Sequence, residues 1–154
     1  MVALIEENIP EGTGVALELY SGVGLFSAFI ADHVAKLISI ESSETAAEDF
    51  VENLDEYDNV VLYQGPAEEI LPMLDVQPEF VLVDPPRTGL SKDVLGRIIS
   101  MLPEMILYIS CDPATLARDS KILTEGGYSS EKFIPFDFFC QTYHIETLSI
   151  WTKS

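Results

Sequence analysis

The sequence predicts a doubly wound α/β domain, in which a mostly parallel sheet is covered by helices on both faces. Two observations lead there. Apolar runs of four to seven residues alternate with segments of helical period along the 154 residues, the pattern of strands buried on both sides. Glycines, prolines and acids cluster just after several of these runs, where open α/β sheets bind their ligands. With 47% hydrophobic residues in 154, the chain has the size and apolar content of one domain with a sizeable core.

In chain order, strands are expected at residues 15–19, 37–40, 60–63, 80–83, 105–109, 132–136 and 147–151. Helices are expected at residues 25–34, 43–54, 66–71, 91–101 and 113–123, the last stopped by Gly126-Gly127. The residues that follow each strand carry the information about function.

The first strand runs into ELYSGVGLFS, a strand, a glycine turn at Gly22 and Gly24, and then a helix. Such a turn lets the backbone approach a bound nucleoside. Glu41, at the end of the second strand, is placed to accept both hydroxyls of a ribose. Together they point to an adenosine-type cofactor. A dinucleotide fingerprint requires a third glycine where this chain has Ser27, and it lacks an acid at the position of Glu18. S-adenosylmethionine, which has no pyrophosphate to cradle, fits better. Glu18 itself is open to two readings, an acid belonging to this cofactor turn or an ordinary surface acid at a strand end.

The fourth strand is followed by DPPRTGL. Two successive prolines make a stiff, extended loop that aims Asp84 outward, with Arg87 and Gly89 beside it. The alternative for Asp84 is a cap on a simple breaker turn. The fifth strand is followed by YISCDPATLARD. Asp112 reads as a helix N-cap and Pro113 as the first helical residue, which places the Cys111 sulfur near the positive end of a helix and is expected to favour thiolate. Taken alone, a cysteine at a strand end is more often a small buried apolar residue. Before the last strand stands TYHIE, where Glu146 enters an apolar segment; it is either a paired structural acid or a partly desolvated general base. Cys140 and His144 read as packing or hydrogen-bonding groups, since no further Cys or His completes a zinc set.

Composition narrows the classes. No stretch reaches the ~20 apolar residues of a membrane helix, and no basic region precedes the short apolar run at the N-terminus, so a soluble, cytoplasmic protein is expected. Two cysteines do not make a disulfide framework. The formal charge is −18, and residues 1–80 hold 17 acids against one base, whereas residues 81–154 hold 9 acids against 7 bases. A polyanion would therefore meet the second half, near Arg87 and Arg118.

Read together, ELYSGVGLFS, DPPRTGL, YISCDPATLARD and TYHIE resemble the RNA 5-methyluridine methyltransferases of tRNA and 23S ribosomal RNA, over nearly the whole chain. The resemblance implies a Rossmann-like methyltransferase fold with seven strands, one of them antiparallel near the C-terminus. It implies Cys111 as nucleophile, Glu146 as base and Asp84 beside the target uracil. Cofactor contacts are implied at Tyr20, Ser21, Gly22, Gly24, Leu25, Glu41, Ala67 and Asp84, while the charge distribution makes Arg87 and Arg118 the expected substrate contacts. No metal is implied. The chain departs from the family at Glu18 and Ser21, where Asp and Cys are usual, at Leu25, often Asn, and at Pro66, commonly Asp. Residues 1–154 are expected to be the catalytic domain of an enzyme whose RNA-binding and central domains lie outside them, the RNA being held weakly by this acidic part alone. Other readings of the same motifs are a methyltransferase of another substrate and a non-catalytic S-adenosylmethionine-binding domain.

Overall fold

A computed structural model of the chain describes residues 1–138 and 145–154. The elements follow in the order α1 (Val2–Glu7), β1 (Val15–Leu19), α2 (Leu25–Ala31), β2 (Lys36–Glu41), α3 (Glu44–Asn53), β3 (Val60–Gln64), α4 (Ala67–Ile70), β4 (Phe80–Val83), α5 (Lys92–Met101), β5 (Met105–Ser110), α6 (Pro113–Glu125), β6 (Tyr128–Phe136) and β7 (Glu146–Lys153), with a short 3-10 turn after α4. They form a seven-stranded sheet in the order β3-β2-β1-β4-β5-β7-β6. Neighbours among β1 to β5 pair parallel, and β7 is antiparallel to both β5 and β6. The expected doubly wound sheet with an antiparallel strand near the C-terminus is what forms.

Strand periodicity sorts the core into two layers. Leu17, Leu19, Val81, Val83, Ile106 and Tyr108 face one way and pack on α5 and α6 through Leu95, Ile98, Leu116 and Leu123. Ala16, Leu37, Phe80, Leu82, Leu107 and Ile109 face the other way and pack on Ile5 of α1 and Ile30 of α2. Capping follows local chemistry: Ser43, Ser91 and Asp112 accept from the backbone N–H of Ala46, Val94 and Thr115 at the heads of α3, α5 and α6.

Two elements depart from expectation. Helix α1 has only six residues, too few to show a period; burial of Ile5 against the sheet layer makes it worthwhile. Strand β6 begins at Tyr128 rather than 132, because β7 pairs with the polar run Ser129–Ser130 before a bulge at Lys132. As the edge strand it also tolerates Pro135.

Leu107 is fully buried in β5, among central strands. Leu107→Ala is expected to cost about 2–5 kcal/mol of stability, read from urea unfolding midpoints.

Candidate active site at the carboxyl edge of the sheet

The turn after β1 is fastened to β2. Tyr20, whose φ is 62°, and Ser21 both donate backbone N–H to the Ile40 carbonyl, at 2.9 and 3.2 Å. The Glu41 carboxylate reaches across the turn, Oε2 accepting from Gly22 N–H at 2.8 Å and Oε1 from Ser43 N–H at 2.7 Å. Oε1 also accepts from the Ser42 hydroxyl at 3.5 Å, so Oε2 is the oxygen with a further lone pair. Among the described residues the buried Ser21 hydroxyl has no hydrogen-bond partner. Beside this turn lies a cleft of about 150 Å3 lined by Tyr20, Ile40, Ser42, Gly65, Pro66, Ala67 and Glu68. Leu25 stands apart in the first turn of α2, 59% exposed. Gly24 is demanded by packing: at φ 88° a Cβ would lie 2.6 Å from Leu54 Cδ1 and 2.9 Å from Phe50 Cδ2. The close approach at this glycine is therefore that of α3.

Glu18 is not a surface acid. It points to the layer of α1 and α2, is 2% exposed, and accepts from the hydroxyls of Ser27 and Ser39. Burial pushes its carboxyl from 4.5 up to about 8, against the hydrogen bond from Ser27 and with the charge of Asp84 adding to the rise. Its buried hydroxyl partners come from α2 and β2, elements that only the fold brings to β1.

Asp84 follows β4, its N–H donating to the Leu19 carbonyl at 3.3 Å. Burial, and then the charge of Glu146, push its carboxyl up to about 6. Cys111 follows β5 and is half-buried. Asp112 caps α6 as expected, accepting from Thr115 N–H at 2.8 Å. The expectation that this helix head would favour thiolate is overturned. The thiol is pushed above its ordinary value by burial first, then by Glu146 and Asp84, while its own backbone N–H and Arg87 oppose the rise. The capping carboxylate of Asp112 has already engaged the helix terminus, and two further acids face the sulfur. Glu146 opens β7, next to the pair Thr147–Ser110 that joins β7 to β5. Asp84, Arg87, Cys111 and Glu146, from three strand ends, thus lie within electrostatic reach of one another.

Arg118 has a different setting. Its guanidinium pairs with Asp119 and donates to the carbonyls of Thr88 at 2.9 Å and Leu90 at 3.0 Å. Asp119 is fully buried and accepts from the Tyr108 hydroxyl at 2.7 Å and from Leu90 N–H at 2.9 Å. The sequence gives no sign of this carboxylate's position, since Arg118-Asp119 reads as an ordinary charged pair on a helix. A second cleft, about 420 Å3, runs along Pro86, Thr88, Gly89, Leu90, Ser91 and Arg118 and shares Tyr20 and Glu68 with the first. A larger hollow of about 540 Å3 between α3 and β3, lined by Ala47, Glu48, Val51, Glu52, Leu62 and Gln64, holds no residue expected in the site. Cys140 and His144 lie outside the described residues. Among the described residues no cluster of His, Cys, Asp and Glu could hold a metal, and no helix is long and apolar enough to cross a membrane.

Comparison with known proteins places these features. Residues 1–154 match the family model of tRNA (Uracil-5-)-methyltransferase. An uncharacterized RNA methyltransferase of Enterococcus faecalis is 40% identical over 148 residues, 93% of this chain and 32% of that protein. One from Thermotoga maritima is 39% identical over 143 residues, 92% of this chain and 33% of that protein. The chain thus spans about a third of the length of these curated relatives. The crystal structure of Pyrococcus abyssi tRNA (uracil-54, C5)-methyltransferase in complex with S-adenosyl-L-homocysteine has a TM-score of 0.85 and 28% identity over 98% of this chain and 37% of that one. A precorrin-6y C5,15-methyltransferase from Geobacter metallireducens, at 16% identity and a TM-score of 0.77 over 99% of this chain and 86% of that one, shares the fold.

The Glu18 cluster makes a pH signature. A carboxyl raised from 4.5 to about 8 on folding binds its proton more tightly in the native state, so its contribution to stability is complete below 4.5 and is lost as pH rises through 8. Urea unfolding across pH 5 to 8 should show wild-type stability falling with pH from this group, and Glu18→Gln should flatten that slope.

Proposed function

Because the chain belongs to the tRNA (uracil-5-)-methyltransferase family, we propose that it transfers a methyl group from S-adenosylmethionine to C5 of a uridine in tRNA or ribosomal RNA. The observation that carries this reading is the convergence of a half-buried thiol, Cys111, with the carboxylates of Asp84 and Glu146 at one edge of the sheet.

The cofactor fits the turn after β1. Glu41 is fixed by two backbone N–H groups, Oε2 keeps a lone pair for a ribose hydroxyl, and a second ribose hydroxyl would replace the long Ser42 contact on Oε1. Among the described residues the buried Ser21 hydroxyl has no partner and a Cβ on Gly22 would meet nothing within 4 Å, so this turn has room and an unmet polar group for a ligand. Tyr20 and Ala67 line the adjoining cleft on the adenosine side. When bound, S-adenosylmethionine supplies a methyl group on a sulfonium, an electrophile for a carbon nucleophile.

C5 of uracil is a poor nucleophile until the ring is loaded with electrons. Cys111 does this by adding its sulfur to C6, forming an S–C6 bond and moving the C5=C6 electron pair toward C5 and the C4 carbonyl. The thiol proton passes to the acidic cluster; in this reading Asp84, whose carboxyl burial and then the charge of Glu146 push up to about 6, takes it. After methylation C5 carries one hydrogen too many. Glu146 removes that proton, the C5=C6 bond re-forms, and the S–C6 bond breaks, returning Cys111 as thiolate. Arg87 favours the ionised sulfur at both ends of the sequence. With 17 acids and one base in residues 1–80, this domain is unsuited to gripping RNA, and the basic surface belongs to the parts of the enzyme outside it.

Three measurements test the reading. Cys111→Ala should abolish formation of 5-methyluridine in reacted RNA; ordinary turnover by that variant removes the nucleophile assignment. Glu146→Gln should accumulate a covalent protein–RNA adduct, visible as a slower band on a denaturing gel, because addition proceeds and release does not. Glu41→Ala should weaken S-adenosylmethionine binding about 10- to 100-fold in calorimetry, the loss expected for hydrogen bonds to a charged group.

A further inference from the structure

The backbone ladder that joins β4 to β5 ends at the pair Val83–Tyr108. Beyond it, two loops must still be held together, since one carries Asp84 and Arg87 and the other Cys111. We infer that Asp119 is the positioning residue that locks the 84–90 loop onto α6 and so holds Arg87 within electrostatic reach of the Cys111 sulfur, an inference that rests on Cys111 being the nucleophile.

The connections all converge on one buried carboxylate. Asp119 Oδ2 accepts from the Leu90 N–H, at the far end of the loop, at 2.9 Å, and from the hydroxyl of Tyr108, the last ladder residue, at 2.7 Å. Oδ1 accepts from Arg118 Nε at 2.8 Å, and the same guanidinium holds the Thr88 and Leu90 carbonyls. Asp119 is 0% exposed. A buried charge with three charge-matched or polar donors is rigid, because losing any one leaves the others uncompensated. The loop is shaped to this contact: at Gly89, φ 69°, a Cβ would lie 2.6 Å from Asp119 Oδ2 and 2.7 Å from Arg118 Nη2. Only glycine lets the loop lie this close to the carboxylate. Asp84 is pinned separately by its N–H on Leu19, so Arg87, further along, is the group that the tie controls.

The sign of the effect follows. Freeing the loop withdraws Arg87, which favours the ionised sulfur, and leaves Asp84 and Glu146, which oppose it. Cys111 then ionises at higher pH. The test uses this chain without RNA, in a Cys140→Ser background, and measures the rate of iodoacetamide alkylation of Cys111 against pH. Asp119→Asn should move the midpoint up by about half a unit, roughly a threefold loss of thiolate at pH 7. Gly89→Ala, which pushes the loop off from the other side, should do the same. Ile98→Val, which loosens the α5 core without touching the tie, should leave the midpoint in place. If Asp119→Asn does not unfold cooperatively, Gly89→Ala and Tyr108→Phe, which removes one donor, decide the matter in the same way. Folded variants of the tie with the wild-type profile, or an equal shift in Ile98→Val, overturn the inference. A wrong nucleophile assignment would instead show as turnover surviving Cys111→Ala, with the profile comparison intact.

Discussion

Parallel pairing is the constraint on which the site depends. Because β1 to β5 run the same way, each delivers its carboxyl end, and the loop that follows, to one edge of the sheet. The glycine turn, Glu41, Asp84 and Cys111 therefore meet although they are spread over 90 residues of sequence. Strand β7 completes the edge by running backwards. As an antiparallel neighbour of β5 it presents its amino end where the others present their carboxyl ends, and that amino end is Glu146. A parallel last strand would have carried this carboxylate to the opposite rim.

Where the ladders stop, buried side chains take over, and three carboxylates show different solutions to one problem. Glu41 is held by two backbone N–H groups. Asp119 is held by a guanidinium, a phenol and a backbone N–H. Among the described residues Glu18 has serine hydroxyls as its partners, and burial pushes its carboxyl up to about 8. Hydroxyls without a counter-charge do not compensate this carboxyl for lost water. The same accounting explains the Cys111 thiol. A helix head favours thiolate, yet burial first, and then the charges of Glu146 and Asp84, push this thiol up. Arg87 is the cationic influence set against them.

Acidity on the large scale has a separate meaning. The imbalance of residues 1–80 covers β1 to β3 and the helices between them, away from the run of Arg87, Arg97 and Arg118 in the second half. Family membership and net charge then bear on different regions of the molecule. The thiol and the carboxylates sit at one edge of the sheet, while the 17 acids of residues 1–80 would repel a polyanion.

The fold class, the strand order of motifs and the residues at each strand end were legible in the sequence, because alternating apolar runs report burial and because glycine, paired prolines and a capping Asp report backbone geometry through short-range chemistry. Helix α1 and the start of β6 were not, since six residues show no period and a polar edge strand is defined by its partner. The sequence also named Cys111, Asp84 and Glu146 as the groups to watch. Tertiary structure alone decided how each is surrounded: that Glu18 turns inward to Ser27 and Ser39, that Gly24 makes room for α3, that Arg118 faces a buried Asp119, and that the thiol stands among carboxylates. Local patterns determine where the chain bends and which face is apolar, whereas the ionisation of a side chain depends on charges and donors brought to it from distant residues.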